Sequence, residues 1–160
     1  PVESVSWEDC QKFIKELNRK ICSQLHGKSF RLPTEAEWEF AARGGNKSCG
    51  YQYSGSDNLD EVACYLGNSD DGTCDVASFE PNELGLYDMS GNVCEWCLDW
   101  YGSYNRSAQT DPQGPSSGFG RVIRGGSWNN GDRWCRLSCR DGYSPGYSYY
   151  NRGLRLALSE

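Results

Sequence analysis

The chain has 160 residues, a formal net charge of −6 and an aromatic content of 13%. A length of this order fits a single domain, residues 1–160, with a modest core. Affinity for nucleic acid comes mainly from clustered Lys and Arg, so the acidic balance argues against a nucleic-acid ligand. No apolar run approaches the roughly 20 residues that cross a bilayer, so no membrane span is predicted.

Two helices are predicted in the first third of the chain. The stretch SWEDCQKFIKELNRKI has an N-cap at Ser6 and Asp9 three residues later, which is close to a capping box. Thr34 and Glu37 repeat the pattern in RLPTEAEWEFAARGG. Helical spacing of apolar residues predicts a buried stripe on the first helix, formed by Cys10, Phe13, Ile14, Leu17 and Ile21.

Short strands are predicted in the second half, after an irregular stretch from residue 45 to residue 85. ELGLYDMSGNVCEWCLDWYGSY and RVIRGGSW contain apolar and aromatic residues beside glycine turns, which is typical of short buried strands. GLRLALS alternates apolar and polar residues and predicts a closing strand. Helices followed by strands among long loops indicate the α+β class.

Nine cysteines are many for this length, and the number is odd. In an exported protein at least one of them would be unpaired. Free cysteines behave as small apolar residues, so several buried thiols are one interpretation. A disulfide between Cys64 and Cys74 would close a short loop, but pairing cannot be deduced from sequence, and both interpretations stay open.

Residues 129–152 have an unusual composition. Tyr, Ser, Gly, Asn and Asp account for 15 of these 24 residues, and Lys, Glu, Ala, Val, Ile and Phe are absent. Paratopes share this bias, because Tyr supplies rigid amphipathic contact area while Ser, Gly and Asn supply adaptable hydrogen bonds. The composition therefore predicts a surface that contacts a ligand.

Five motifs in a fixed order carry a family resemblance. VSWEDCQKF, RLPTEAEWEFAARGG, GLYDMSGNVCEWCLDWYG, RVIRGGSW and GLRLALS together resemble the formylglycine-generating enzyme (sulfatase-modifying factor) superfamily. The resemblance implies a C-type-lectin-like fold with two N-terminal helices, a small twisted antiparallel sheet and much ordered loop. Family members usually begin with strands ahead of the first helix, so we expect a further N-terminal segment or chain to precede Pro1.

The resemblance also implies an activity, which depends on two cysteine positions. Founding enzymes of the family oxidise a sulfatase cysteine to formylglycine and bind copper through two cysteines, five positions apart, just after the GGS motif. The second of these positions is Cys135, but the first is Asn130. An amide cannot replace a thiolate ligand of Cu(I) or a redox partner, and Cys139 lies on the wrong side of Cys135. We therefore expect no catalysis, with a copper-dependent formylglycine-generating oxidase as the alternative.

Two other metals have candidate ligands. The spacing of CEWC and CRLSC is close to that of zinc sites, which would use Cys94, Cys97, Cys135 and Cys139. Residues Cys94 and Cys97 would point to opposite faces of a strand, however, so substitution in a core explains them more simply.

Calcium is the second candidate metal, since relatives hold a structural calcium around the turn that matches SGNVCE. The residues carried over are the Glu95 carboxylate and the carbonyls of Ser90, Gly91 and Val93, and hard oxygen ligands suit calcium. The alternative is that Glu95 pairs with a nearby Arg. No cofactor is required by the predicted function, and structural calcium is the only one proposed.

The codons offer a second explanation for the composition of residues 129–152. Asn is encoded by AAC or AAT, and randomising both adenines yields Asn, Ser, Tyr, Asp, Gly, Arg, Cys and a few others, but never a stop codon. Diversity-generating retroelements mutate template adenines in this way, and the segment resembles the variable region of their C-type-lectin-like variable proteins. Trp134 does not arise from either codon by adenine changes alone. An undiversified relative with naturally Asn- and Tyr-rich loops is the competing interpretation.

The sequence thus predicts a noncatalytic ligand-binding domain, receptor-like or adhesin-like, with a candidate variable region at 129–152. The expected ligand is a protein rather than a glycan, and the expected location is a cell surface, the secreted fraction or a phage particle. The predicted contact residues are Asn129, Asn130, Gly131, Asp132, Trp134, Ser138, Asp141, Tyr143, Ser144, Tyr147, Ser148, Tyr149, Tyr150 and Asn151. The predicted fixed scaffold residues are Gly125, Gly126, Arg136, Arg140, Pro145, Gly153 and Arg155.

Overall fold

The computed structural model describes residues 1–159, in which helices precede most of the strands. The helices and strands are, in chain order, α1 (Trp7–Ile21), β1 (Phe30–Arg31), α2 (Glu35–Ala42), α3 (Leu59–Val62), β2 (Cys94–Trp100), β3 (Arg121–Arg124), β4 (Arg140–Tyr143), β5 (Arg152–Gly153) and β6 (Ala157–Leu158). Ordered loops and short 3-10 turns join them. The predicted α+β class and the two N-terminal helices are confirmed.

Both long helices begin where the capping patterns place them. The Ser6 hydroxyl accepts a hydrogen bond from the Asp9 backbone N–H, and the Asp9 carboxylate bonds back to the Ser6 N–H. Thr34 and Glu37 form the same reciprocal pair at the start of α2. Each capping box satisfies backbone donors that have no partner within the helix.

The buried face of α1 is narrower than predicted. Cys10 and Ile14 are buried, whereas Phe13 is 52% exposed, so its predicted place in the buried stripe is wrong. Leu17 and Ile21 are half-buried. In a helix of 3.6 residues per turn, Phe13 lies at the margin of the stripe that runs through Cys10 and Ile14.

The main sheet has the strand order β4-β3-β2-β5. β2 and β3 are antiparallel, as are β3 and β4. β5 runs parallel to β2, with Cys94 opposite Arg152 and Glu95 opposite Gly153. The predicted antiparallel sheet thus also contains one parallel pair, because the chain crosses over the sheet to add β5.

The end of the chain also differs from the prediction. GLRLALS was expected to form one strand, but it contributes only the end of β5 and the separate strand β6. β6 pairs antiparallel with β1, where Leu158 lies opposite Phe30. The chain thus leaves one sheet and enters a second, two-stranded sheet within a few residues, which limits the length of each strand.

Buried aromatic side chains fill the core beneath the main sheet. Trp38 from α2 is 1% exposed and Trp96 from β2 is fully buried. Cys64 and Cys74 form a disulfide, which settles the open question about this pair. None of the helices within residues 1–159 is long and apolar enough to cross a membrane.

Candidate functional site

The segment with the unusual composition is attached to the sheet at both ends. The chain leaves β3 after Arg124, enters the segment at residue 129 and reaches β5, which begins at Arg152. β3 and β5 lie on opposite sides of β2, with the remaining strand of the sheet beyond β3, so the segment passes across the sheet before it reaches β5. Arg124 and Arg152 are 1% and 5% exposed. The two attachment points are therefore fixed within the folded core.

Two consecutive glycines form the turn at the start of the segment. Gly125 and Gly126 have φ angles of +93° and +71°, a region that other residues rarely adopt. A Cβ atom at Gly126 would lie 2.8 Å from the Trp134 carbonyl oxygen. These constraints fit the scaffold role predicted for both glycines.

A buried ion-pair network supports the base of the segment. The Glu35 carboxylate accepts hydrogen bonds from Nε and Nη2 of Arg140, each at 2.6 Å. Glu35 Oε1 also lies 3.3 Å from Arg124 Nε, and Arg124 pairs with Glu39 as well. Arg140, a predicted scaffold residue, therefore ties β4 to α2.

Strand β4 lies inside the segment and was not predicted. Asp141 pairs with Ile123 and Tyr143 with Arg121, so four residues of the segment extend the sheet beyond β3. All four residues of β4 are half-buried. Their sequence RDGY lacks apolar alternation, which is why a pattern search does not find the strand. Asp141 and Tyr143 consequently lie on a hydrogen-bonded strand rather than in a free loop.

Four tyrosines form a continuous array of stacked and tilted rings, here named the tyrosine row: Tyr143, Tyr147, Tyr149 and Tyr150. Successive ring centroids are 6.3, 5.9 and 4.1 Å apart. Trp128 extends the row, with its ring centroid 5.5 Å from that of Tyr150. All of these separations except the shorter one between Tyr149 and Tyr150 lie in the roughly 4.5–7 Å range of favourable aromatic pairs. The tyrosines predicted as contact residues are therefore brought together into one surface.

A buried polar cluster holds the loop beneath Tyr150. The Ser127 hydroxyl lies 2.8 Å from Asn129 Oδ1 and accepts a hydrogen bond from Asn151 Nδ2 at 3.1 Å. Asn151 Nδ2 also donates to Asn129 Oδ1 at 2.9 Å, and Asn129 Nδ2 lies 3.2 Å from the Tyr150 hydroxyl. Asn151 is only 8% exposed, so its predicted place on the surface is wrong. Its side chain supports the surface from inside.

The other predicted contact residues differ in exposure. The exposed ones are Asp132, Trp134, Ser138, Ser144, Tyr147, Ser148, Tyr149 and Tyr150. The half-buried ones are Asn129, Asn130, Gly131, Asp141 and Tyr143. Asp132 and Trp134 belong to a 3-10 turn, Asp132–Cys135. Trp134 from this turn and Tyr143 from β4 line the same cavity.

This cavity, here named the Arg152 cavity, has a volume of about 130 Å³ and adjoins the first tyrosine of the row. Asn130, Trp134, Asp141 and Tyr143 contribute to its wall together with Arg152. The Arg152 guanidinium lies under the tyrosine row, with Cζ 3.6 Å from the ring centroid of Tyr143. The sequence did not single out Arg152, because Arg is one of the residues that the biased composition already explains.

The two positions of the family's copper site do not form a thiol pair. Cys135 is fully buried, and burial raises the pKa of its thiol to about 12. The Asn130 side-chain oxygen lies 2.7 Å from the Ser127 hydroxyl and 3.8 Å from the Cys94 sulfur. One thiol and one amide do not fit Cu(I), which prefers soft sulfur ligands.

The four cysteines of the candidate zinc site do not form a metal-binding group in the part of the chain that the structure describes. Cys94, Cys97 and Cys135 belong to three separate apolar clusters. Within residues 1–159, no group of three or more His, Cys, Asp or Glu side chains is arranged to hold a metal ion. Their positions agree with the simpler interpretation, in which the thiols fill the core.

Glu95, the carboxylate of the candidate calcium site, is buried and paired with a cation. Its oxygens accept hydrogen bonds from Arg155 Nε at 2.9 Å and Nη2 at 2.8 Å, and from Trp38 Nε1 at 2.7 Å. In this arrangement the residues do not fit calcium, because the ion would compete with the guanidinium for the same oxygens. The contacts are those of the alternative interpretation, an ion pair with an Arg.

Comparisons with known proteins agree with the motifs. The family model described as "Sulfatase-modifying factor enzyme 1-like domain" matches residues 1–160. A formylglycine-generating enzyme of Streptomyces coelicolor is 37% identical over 98% of this chain and 52% of the enzyme. A serine/threonine-protein kinase pkn1 of Chlamydia caviae is 44% identical over 98% of this chain and 24% of the kinase. The chain thus spans about half or less of these curated relatives.

Solved structures show the same fold. Variable protein 1 of Treponema denticola superimposes with a TM-score of 0.89 at 34% identity and covers 99% of this chain and 70% of its own. PvdO from Pseudomonas aeruginosa gives a TM-score of 0.80 at 29% identity, with 99% of this chain and 61% of its own covered. The predicted C-type-lectin-like architecture and the resemblance to a variable protein are thereby confirmed. The chain belongs to the sulfatase-modifying factor enzyme 1-like family.

Proposed function

We propose that this chain is a noncatalytic ligand-binding domain that contacts a protein partner through the tyrosine row and the residues beside it. The observation that carries the proposal is the exposure of stacked aromatic rings on a buried frame. Tyr147, Tyr149 and Tyr150 are 47%, 38% and 43% exposed although they contact one another. Exposed aromatic clusters of this kind mark interaction sites on soluble proteins.

The physical properties of the row suit protein recognition. Tyrosine buries a large area at a small cost in side-chain entropy, and aromatic residues dominate the binding energy of many interfaces. Stacking restricts these rings before a ligand arrives, which lowers the ordering cost of binding. The polar cluster around Ser127 and the Glu35–Arg140 pair restrict the backbone below.

The division between frame and surface supports diversification of the segment. Gly125, Gly126, Arg140 and Arg155 have contacts that few other residues would reproduce. The Tyr, Ser and Asp residues between them are mostly exposed, so substitutions there alter the surface without disturbing the fold. The likeness to a variable protein adds support. Diversification by a retroelement therefore belongs to the proposal.

The remaining parts of the proposal concern partner and location. The net charge of −6 disfavours nucleic acid as the partner. A disulfide such as Cys64–Cys74 is common in oxidising compartments. We therefore place the domain at a cell surface, in the secreted fraction or on a phage particle.

A copper-dependent formylglycine-generating oxidase is the second candidate function. The identity to the Streptomyces coelicolor enzyme and the presence of Cys135 favour it. The test is incubation of the domain with copper and a sulfatase-derived cysteine peptide, followed by mass spectrometry. We expect the cysteine to remain unchanged, and conversion to formylglycine would overturn the noncatalytic proposal.

The ligand-binding proposal is tested by selecting binders from a random-peptide phage library on the folded domain. A variant with Tyr147→Ala, Tyr149→Ala and Tyr150→Ala should lose at least about tenfold in affinity for the selected peptides, or about 1.4 kcal/mol. Phe119→Ala, which removes a fully exposed ring outside the segment, is the matched control and should bind normally. Peptides that bind both variants equally would contradict the proposal.

A further inference from the structure

The charge of Arg152 has no carboxylate partner in the part of the chain that the structure describes. Other arginines in the frame differ, since buried Arg124 and half-buried Arg140 and Arg155 each pair with a glutamate. Arg152 is 5% exposed, and its Nε and Nη1 atoms have no hydrogen-bond partner. Unpartnered donors on a buried cation are costly, and Arg152 also lines the Arg152 cavity, so a ligand in that cavity is the candidate acceptor.

Aromatic rings stabilise the charge of Arg152 without using its hydrogen bonds. Its Cζ atom is 3.6 Å from the ring centroid of Tyr143, 4.9 Å from that of Tyr147 and 5.4 Å from that of Tyr149. Ring faces attract a cation through their quadrupole. They do not replace acceptors for the N–H groups in the guanidinium plane, which match a planar carboxylate.

The volume of the Arg152 cavity limits the size of the group that enters. At about 130 Å³, it is close to the roughly 150 Å³ of a cavity that admits one benzene molecule. Pockets for whole small-molecule ligands are typically about 300–1,000 Å³. The cavity therefore accommodates the end of one side chain rather than a cofactor.

We infer that the Arg152 cavity receives a carboxylate side chain, Asp or Glu, from the protein partner. The inference rests on the proposed function, because the partner must cover the tyrosine row for its side chain to reach the cavity. Asn130 and Trp134 also line the cavity, so the acidic side chain is received among polar and aromatic groups. The cavity thus selects partners that present an acidic residue.

One group in the wall opposes this binding. Asp141 lines the same cavity and carries a like charge. Its Oδ1 accepts a hydrogen bond from the Gly142 N–H at 2.8 Å, and the residue is half-buried. Solvent and this hydrogen bond reduce the repulsion without removing it. Asp141→Asn should therefore strengthen carboxylate binding while Arg152→Gln abolishes it.

The test is an NMR titration of the ¹⁵N-labelled domain with propionate, propionamide and inorganic phosphate at matched ionic strength. We expect propionate to shift the Nε–H resonance of Arg152, with a Kd on the order of millimolar for so small a probe. Propionamide, which is isosteric but neutral, should bind at least about tenfold more weakly. Equal binding of the two probes, or preference for phosphate, would overturn the carboxylate assignment.

Variants locate the binding. Arg152→Gln should abolish the propionate shifts, and Asp141→Asn should increase the affinity about twofold or more. Arg136, a predicted scaffold residue, is in fact exposed, so Arg136→Gln removes a surface arginine of the same segment and should leave the affinity unchanged. Thermal melts verify folding, and if Arg152→Gln unfolds, the probe comparison and Asp141→Asn decide the question. Undiminished binding in folded Arg152→Gln, or weaker binding in Asp141→Asn, would contradict the inference.

The selected peptides separate this inference from the proposed function. Peptides that depend on the tyrosines but lose nothing when their Asp and Glu residues become Asn and Gln would refute the carboxylate inference alone. Propionate binding without any tyrosine-dependent peptide would leave the cavity assignment standing and refute the proposed function.

Discussion

The Arg152 guanidinium lies against the ring of Tyr143, with 3.6 Å between its Cζ atom and the ring centroid. Arg152 belongs to β5 and is buried, whereas Tyr143 begins the row of rings that ends at exposed Tyr150. This contact joins the frame of the domain to its candidate binding surface. The guanidinium of Arg152 fixes the position of the Tyr143 ring, and contacts between successive rings restrict the other tyrosines of the row.

The stability of the frame should depend on the left-handed turn at Gly126. In Gly126→Ala, a Cβ atom would lie 2.8 Å from the Trp134 carbonyl oxygen and the backbone would keep φ near +71°. We expect the free energy of unfolding to fall by about 1–3 kcal/mol. Gly131→Ala is the matched control, since it meets no atom within 4 Å and its φ is −68°. Equal stability of the two variants in urea titrations would contradict this account of the turn.

The buried carboxylate of Glu35 should matter more than any surface ion pair. Glu35→Gln removes the charge that pairs with both Arg140 and Arg124, and breaking a buried pair costs about 3–5 kcal/mol. Glu16→Gln removes an exposed ion pair with Arg19 and should leave the free energy of unfolding, measured by chemical denaturation, unchanged within error. A small effect of Glu35→Gln would show that β4 does not depend on this network.

Buried thiols should make the fold sensitive to alkaline pH. Burial raises the pKa of Cys94 and Cys135 to about 12, from an ordinary value of 9.0. The unfolded chain loses these protons first, so the contribution of the two thiols to stability is constant below pH 9 and falls as pH rises toward 12. Each thiol contributes a slope of about 1.4 kcal/mol per pH unit in that window.

Urea titrations between pH 8 and pH 10.5 measure that slope, for the wild-type chain and for Cys135→Ala. The variant should show a shallower decline, and Cys22→Ala, which removes an exposed thiol, should match the wild type. An unchanged slope in Cys135→Ala would mean that this thiol is not protected in the native state.

The tyrosine row should contribute little to folding. Tyr147→Ala removes a ring that is 47% exposed and stacks on two neighbours, so we expect a loss of about 1 kcal/mol. Trp96→Ala, at a fully buried position of β2, should cost about 3–5 kcal/mol. If Tyr147→Ala unfolded the domain, the row would be core rather than surface.

Local signals predicted much of the fold. Capping residues Ser6 and Thr34 located both helices, because a cap is a property of four consecutive residues. The strand β4 and the parallel pairing of β5 were missed, since each depends on contacts far along the chain. The prediction that Phe13 is buried is wrong because helical periodicity identifies the apolar face of a helix but not how much of that face its neighbours cover.

The candidate site was predicted in outline. The biased composition of residues 129–152 identified the tyrosines, whose exposure follows from the lack of apolar periodicity. It could not separate Asn151, which is buried, from exposed residues of the same types. Arg152 and Trp128 were missed for a related reason: their roles arise from stacking in three dimensions, which leaves no mark on sequence spacing.

Deep sequencing of codons 120–158 across a natural population of the gene tests the central claim most directly. A diversified binding surface predicts amino-acid changes concentrated at codons derived from AAC or AAT, above all at Tyr147, Tyr149 and Tyr150. Codons for frame residues such as Gly126 and Arg155 should be invariant, with a template repeat and a reverse transcriptase gene nearby. Changes spread evenly over the segment, or frequent at the frame residues, would contradict the account.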